Sequence, residues 1–180
     1  SPKYYGINYR SYPVGTKVET FSVELVEQNK DKILYVDSLL RNYPSYEKGT
    51  LFTESKELFS KDSLSVALPE GTNAVRLLSI NIQVDSVHYE QAMREQIIKM
   101  SFDGVETVTV PLSDFSGAGM GARKSDSWYI SADGKGHVLS RWVMPYQSNA
   151  VFKLVNLSST TVKADIEIRV DDWKWDERSL

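Results

Sequence analysis

The acidic side chains are the residues of this chain with the chemistry and the number to form a reactive site. The sequence has 24 Asp and Glu residues, two histidines and no cysteine. Hydrolysis of a glycosidic bond needs two carboxyl groups at a fixed separation, and functional side chains are often carried by loops. The loop-borne acidic candidates are Glu90, Asp103, Asp114, Asp126 and Asp133.

The spacing of these residues does not select a catalytic pair, and two of them have a structural alternative. Asp103 precedes Gly104 in a combination typical of a tight turn. Asp114 also fits a hydrogen-bonding role at the start of a loop. The sequence therefore leaves the catalytic residues unassigned.

Other reaction types lack the residues that they need. A nucleophilic triad needs a histidine base, but His88 and His137 are not accompanied by cysteine or by a Gly-x-Ser-x-Gly turn. Zinc needs clustered ligands, and two histidines about fifty positions apart have no such spacing. The glycine-rich run at 117–121 is not followed by Lys-Ser, as a phosphate-binding loop would be. We therefore predict no metal site and no cofactor.

Aromatic side chains are the second group with a possible binding role, because their flat rings can cover the apolar face of a sugar. Trp142 is in strand phase with Val138 and Met144, so we expect it in the core. Trp128 and Tyr129 lie in a long loop, where a ligand contact and an ordinary core or interface contact are equally compatible with the sequence.

Two polar segments interrupt the strand pattern, at residues 86–96 and 114–135. Loops of this length within a compact β domain are more often functional than not. We therefore predict ligand-binding or interface residues in them. The candidates are Glu90, Asp114, Phe115, Arg123, Trp128 and Tyr129.

One helix is predicted near the N-terminus, from about Ser22 to Arg41. Ser22 is a suitable N-cap, and Glu24 places a negative charge in the first turn. Apolar residues then recur at helical spacing, at Val26, Ile33, Val36 and Leu40.

The remainder of the chain has the two-residue period of β-strands. Leu78, Ile80 and Ile82 alternate with polar residues, and Asp103-Gly104 separates two further alternating runs, 98–102 and 108–112. Other predicted strands cover 58–68, 128–131, 137–144, 150–157 and 162–170. About eight short strands with polar outer faces predict an all-β fold, an antiparallel jelly-roll β-sandwich.

Length and charge limit the function classes. The chain has 180 residues and a formal net charge of -3, which is ordinary for a globular protein and provides no basic field for nucleic acid. It contains no apolar run near 18 residues, so membrane insertion is not expected. We predict one domain over residues 1–180, with 1–21 a strand or linker continuing from a preceding domain.

Two segments of the sequence resemble the paired motifs of glycoside hydrolase family 172. One is Phe-Asp-Gly-Val-Glu-Thr-Val-Thr-Val-Pro-Leu-Ser-Asp-Phe-Ser-Gly at 102–117, and the other is Arg-Trp-Val-Met-Pro-Tyr-Gln-Ser-Asn-Ala-Val-Phe-Lys-Leu-Val-Asn at 141–156. Residues 4–21 are similar to the junction that follows the first jelly roll in longer members. Together these segments cover about half of the chain.

The resemblance implies one jelly-roll domain of a longer bacterial protein that acts on fructose- or arabinose-type furanosides. It also implies a symmetric oligomer, other domains of the same protein as partners, and a location outside the cytoplasm. Thr107, Ser113 and Ser116 depart from the family pattern. An acidic Gly-Thr-Glu-Asp-Tyr type of segment, associated with catalysis in the family, is absent from this sequence.

Two functional hypotheses follow. In the first, the chain is a domain of a furanoside-hydrolase-like protein and does not hold a complete active site. In the second, it is a non-catalytic β-sandwich that binds glycan or takes part in assembly. A paired, cleft-facing carboxyl group with a raised pKa would favour catalysis, and a flat aromatic surface without such a pair would favour binding.

Overall fold

The computed structural model describes residues 6–43 and 45–176. Contacts within the chain divide it into two compact units, Ser1–Asn42 and Tyr43–Leu180. The predicted division, one domain over 1–180 with 1–21 as a linker from a preceding domain, stays a prediction, and residues 1–5 of that segment lie outside the described residues. No described helix has the length and apolar character needed to cross a membrane.

The first unit contains the predicted helix, which is interrupted once. Helix α1 spans Val23–Gln28 and helix α2 spans Lys30–Arg41. Ser22 is the N-cap, and its Oγ accepts a hydrogen bond of 3.2 Å from the Leu25 N–H. The interruption is at Asn29, whose side chain donates to the Leu25 carbonyl at 2.8 Å and so competes with the helical backbone bonds.

The second unit is a β-sandwich of two antiparallel sheets, which confirms the predicted fold class. The larger sheet has the order β1-β11-β3-β8-β7-β6, and β9 also pairs with β3. Its strands are β1 Thr50–Leu58, β3 Asn73–Gln83, β6 Ser125–Asp126, β7 Ile130–Ala132, β8 His137–Ser140, β9 Met144–Tyr146 and β11 Val162–Asp172.

The smaller sheet has the order β2-β10-β4-β5. Its strands are β2 Ser63–Ala67, β4 Gln96–Phe102, β5 Val105–Pro111 and β10 Ala150–Asn156. Eight strands thus divide into the sets β1-β11-β3-β8 and β2-β10-β4-β5, which is the strand order of a jelly roll.

The core lies between the two sheets because one face of each central strand is apolar. Ile80 of β3 and Ile166 of β11 face Met100 of β4 and Phe152 of β10, and all four are at least 98% buried. The hairpin of β4 and β5 turns at Asp103-Gly104, where both φ angles are positive (51° and 80°), as a type I′ turn requires.

Three predictions on strands need correction. Strand β1 was missed, because an edge strand with mostly exposed residues has no clear alternation. The alternating run 108–112 predicts Leu112 in a strand, but β5 ends at Pro111 and Leu112 begins a four-residue helix, α4 (Leu112–Phe115). The predicted strand 137–144 is broken between Ser140 and Met144.

The break explains why the prediction that Trp142 lies in the core is wrong. Pairing with β3 stops after Ser140 and resumes at Met144, so residues 141–143 leave the sheet and the strand phase is lost. Trp142 is 49% exposed and does not lie in the core.

The polar excursion at 86–96 is helical. A 3-10 helix spans Ser86–His88, and helix α3 follows at Tyr89–Glu95. Ala92 and Met93 of α3 are buried in the core, so this segment is anchored to the sandwich.

Candidate functional site

Three of the six predicted binding residues lie on helices α3 and α4: Glu90, Asp114 and Phe115. The Arg94 guanidinium forms an ion pair with the Asp114 carboxylate and donates to Ser113 Oγ at 3.3 Å. Glu90 is exposed and lies beside Arg123: a Cβ added to Gly121 would be 3.7 Å from Glu90 Oε1 and 3.5 Å from Arg123 Nε. Asp114 therefore has a basic structural partner.

The three aromatic candidates differ in their surroundings. Phe115 is half-buried and packs against the core. Trp128 is half-buried, and its ring meets the Tyr43 ring edge to face with the centroids 5.8 Å apart. Tyr129 is 47% exposed and stacks on Trp142 at a centroid distance of 4.1 Å. The Tyr129–Trp142 pair is thus a flat, exposed aromatic surface.

Asp103 has the structural role that its turn position indicates. Its carboxylate accepts hydrogen bonds from the backbone N–H groups of Gln147, Ser148 and Asn149, and from the Ser148 hydroxyl. Burial alone would raise the pKa of Asp103, but these hydrogen bonds outweigh burial and lower it. The residue therefore joins the β4–β5 turn to the β9–β10 connection.

The carboxyl groups that the structure perturbs are all more acidic than usual. Hydrogen bonds are the largest cause of a lowered pKa in Glu24, Asp62, Glu106 and Asp171. With Asp103, these make five perturbed carboxyl groups among the described residues. A general acid for glycoside cleavage needs a raised pKa, so none of these five is suited to that role.

A broad concave surface lies on the outer face of the larger sheet, and we call it the sheet groove. Its volume is about 910 Å³. It is lined by Thr53, Glu54, Ser55, Ser79, Asn81, Asp133, His137, Asp165, Ile166 and Glu167. Hydroxyl, amide, imidazole and carboxylate groups therefore share one surface.

Strand register explains how these residues meet. Ser55 of β1 is paired with Asp165 of β11, which is paired with Asn81 of β3, which is paired with His137 of β8. Side chains directly across an antiparallel pair point to the same face. The four residues thus form one polar row across the sheet.

Hydrogen bonds hold this row in place. The Asp165 carboxylate accepts from Ser55 Oγ at 2.5 Å, from Asn81 Nδ2 at 3.4 Å and from Gln83 Nε2 at 3.2 Å. Ser79 Oγ and His137 Nε2 are hydrogen-bonded at 3.0 Å. All of these residues except Gln83 line the sheet groove.

The sheet groove is not among the sites predicted from the sequence. Asp165 and Glu167 lie within the predicted strand 162–170, and Ser55 lies in β1, which was not predicted. The polar alternation was the available signal, but pairing β1, β11, β3 and β8 requires the topology. Within residues 6–43 and 45–176, no group of three His, Asp or Glu side chains has the arrangement of a metal site.

Comparison with known proteins gives a family match. The family model described as GH172 domain-like matches residues 50–169, two-thirds of the chain. No curated protein matches the sequence. Among solved structures, PliG of Aeromonas hydrophila, a periplasmic inhibitor of g-type lysozyme, is similar over 71% of this chain and 92% of its own, with 10% identity and a TM-score of 0.34.

Proposed function

We propose that this chain, which belongs to the GH172 domain-like family, is a carbohydrate-active domain of the furanoside-hydrolase type. In this proposal the sheet groove binds the sugar, and the chain by itself does not hold a complete catalytic pair. The observation that carries the proposal is the polar row Ser55–Asp165–Asn81–His137 across an open concave sheet.

The chemistry of the row suits a polyol. Sugar hydroxyl groups donate and accept hydrogen bonds, and the row presents a carboxylate, an amide and an imidazole at strand spacing, about 4.5–5.5 Å apart across the sheet. Asp165 is oriented by Ser55 and Asn81 before any ligand arrives. A ligand therefore meets side chains that are already ordered, which lowers the entropic cost of binding.

Binding without cleavage is supported by the exposure of the same surface. Asp165 is half-buried and Glu167 is exposed on an open sheet face. These carboxylates lie among other polar groups on an open surface, so we assign them to recognition and place the missing catalytic group outside this chain.

Titration calorimetry with arabinofuranosyl and fructofuranosyl oligosaccharides tests the binding role. Asp165→Ala should weaken binding about ten-fold or more, because a charged acceptor of hydrogen bonds is lost. Asp172→Ala is the matched control: it removes an exposed carboxylate at the end of the same strand, outside the groove lining. Equal dissociation constants for the Asp165→Ala variant and the unaltered chain would contradict the proposal.

A role in assembly is the second candidate, and the exposed Tyr129–Trp142 stack favours it. Tyrosine and tryptophan are enriched at protein interfaces, and Val143 beside Trp142 is also exposed. The resemblance to family members further supports a location outside the cytoplasm and self-association as parts of the proposal. Glycan binding lost in Asp165→Ala would favour the first candidate.

A further inference from the structure

Strand β3 is irregular on both edges at Arg76. On one edge, Leu77 pairs with Arg169 and Val75 with Val170, so Arg76 is an extra residue without a partner. On the other edge, pairing passes from Ser140 to Met144 and residues 141–143 leave the sheet. Such bulges redirect side chains and are frequent beside functional sites.

A small pocket lies at this irregular point, which we call the arginine pocket. Its volume is about 120 Å³. It is lined by Tyr46, Arg76, Leu77, Trp128, Arg141 and Val143. Two guanidinium groups thus share a pocket whose other walls are aromatic and aliphatic, and no carboxylate is among the lining residues.

Arg76 is held by aromatic rings and has an unused donor. Its Cζ lies 5.2 Å from the centroid of the Tyr46 ring and 4.9 Å from that of the Trp173 ring. Its Nε atom is buried and has no hydrogen-bond partner among the described residues. An unsatisfied buried donor costs stability, so the hydrogen-bonding capacity of this guanidinium is not fully used within the described residues.

Arg141 is fixed by several weaker contacts. Its Cζ lies 4.0 Å above the Tyr43 ring, and its Nη2 donates to Ser131 Oγ at 3.1 Å. Its backbone N–H donates to the Tyr129 carbonyl. The guanidinium is therefore oriented without a carboxylate in direct contact.

The acidic residues near the pocket are engaged by tyrosines. The Tyr46 hydroxyl donates to Asp171, and the Tyr43 hydroxyl donates to Asp126 at 2.9 Å. Neither Arg76 nor Arg141 forms an ion pair with another described residue. Both guanidinium groups therefore lie in partly desolvated surroundings without a carboxylate in direct contact, and there a guanidinium attracts an anion more strongly than in water.

We infer that the arginine pocket binds the carboxylate of an acidic sugar. At about 30 Å³ per water molecule, the pocket has room for roughly four waters, which suits a carboxylate with its attached carbon. Guanidinium groups match the planar geometry of a carboxylate. Tyr129 and Trp142, which follow Trp128 and Arg141 in the chain, offer an exposed surface for the sugar ring.

That the pocket binds a carboxylate is inferred from the pocket alone. That the carboxylate belongs to a sugar rests on the proposed function. The test is calorimetric titration of the chain with D-glucuronate, D-glucose and acetate. We expect glucuronate to bind at least ten-fold more tightly than glucose and more tightly than acetate. Acetate binding as tight as glucuronate would overturn the sugar part, and failure of both carboxylates to bind would overturn the site.

Substitutions test whether glucuronate binds at the arginine pocket. Arg76→Gln and Arg141→Gln should each weaken glucuronate binding about ten-fold or more, because each removes a charged hydrogen-bond donor. Lys153→Gln removes one positive charge from an exposed position on β10 and should leave glucuronate affinity unchanged. Equal affinity in all three variants would overturn the assignment.

Nuclear magnetic resonance of the unaltered chain keeps the test independent of variant folding. Glucuronate should shift the indole N–H signal of Trp128, which is identified by its loss in Trp128→Phe, and glucose should not. A shift that appears only at other tryptophans would contradict the site. Loss of neutral-furanoside binding in Asp165→Ala is a separate result, so failure of the sheet groove and failure of the arginine pocket are distinguishable.

Discussion

Replacing Asn156 with alanine is expected to lower the free energy of unfolding by about 3–5 kcal/mol, since several buried polar groups lose their partners at once. Asn156 ends strand β10 and is 0% exposed. Its Nδ2 donates to the carbonyl groups of Leu58 and Thr160, each at 2.9 Å. A single side chain thus satisfies the backbone of two loops.

The amide oxygen of Asn156 also forms several hydrogen bonds. Its Oδ1 accepts from Gln96 Nε2 at 2.7 Å, from the Ser158 N–H at 2.9 Å and from Ser158 Oγ at 2.6 Å. Gln96 and Ser158 are buried as well, so water cannot replace the lost amide without opening the core.

Chemical denaturation followed by tryptophan fluorescence measures this effect. Asn149→Ala is the matched control, because Asn149 is exposed in the turn before the same strand and should change the free energy of unfolding by less than about 1 kcal/mol. Similar denaturation midpoints for Asn156→Ala and Asn149→Ala would contradict the prediction that the buried hydrogen bonds of Asn156 stabilise the fold.

The second large effect is expected at Gly136, where alanine should cost about 3 kcal/mol or more. Gly136 has φ = 122°, and a Cβ there would lie 2.1 Å from the carbonyl oxygen of Ile82. The Ile82 N–H also donates to the Gly136 carbonyl at 3.0 Å. Because Ile82 belongs to the buried central strand β3, the backbone cannot move away easily.

Thermal unfolding monitored by circular dichroism tests the Gly136→Ala prediction, and a fall in Tm of more than about 6 °C is expected. Gly6→Ala is the control, because a Cβ at Gly6 meets nothing within 4 Å. An unchanged Tm in Gly136→Ala would mean that the entry to β8 is not as tightly packed as the structure indicates. Since β8 carries His137, the same variant should also distort the sheet groove.

Much of the fold was predictable because one face of each central strand is buried. Strand β11 alternates without exception from Val162 to Val170, and Asp103-Gly104 marks a turn by its own backbone preference. The helix was predictable from its N-cap at Ser22 and its apolar spacing, but its interruption depends on a local hydrogen bond of Asn29.

The candidate sites were less predictable because they depend on contacts between distant strands. Ser55, Asn81, His137 and Asp165 are spread over 110 positions and meet only through the order of the larger sheet. Trp142 leaves its strand phase because pairing stops after Ser140, and no local pattern reveals that break. The six predicted binding residues, among them Glu90 and Asp114, stay predictions.

The most direct test of the central claim is the turnover of aryl α- and β-furanosides, including D-arabinofuranosyl and fructofuranosyl members. It is measured with this chain and with the longest natural protein that contains it. We expect no turnover by the chain alone and turnover by the longer protein, because the proposed function gives the sheet groove a role in sugar binding and places part of the catalytic pair outside this chain. Turnover by the chain alone would contradict this account and place both catalytic carboxyl groups within these 180 residues.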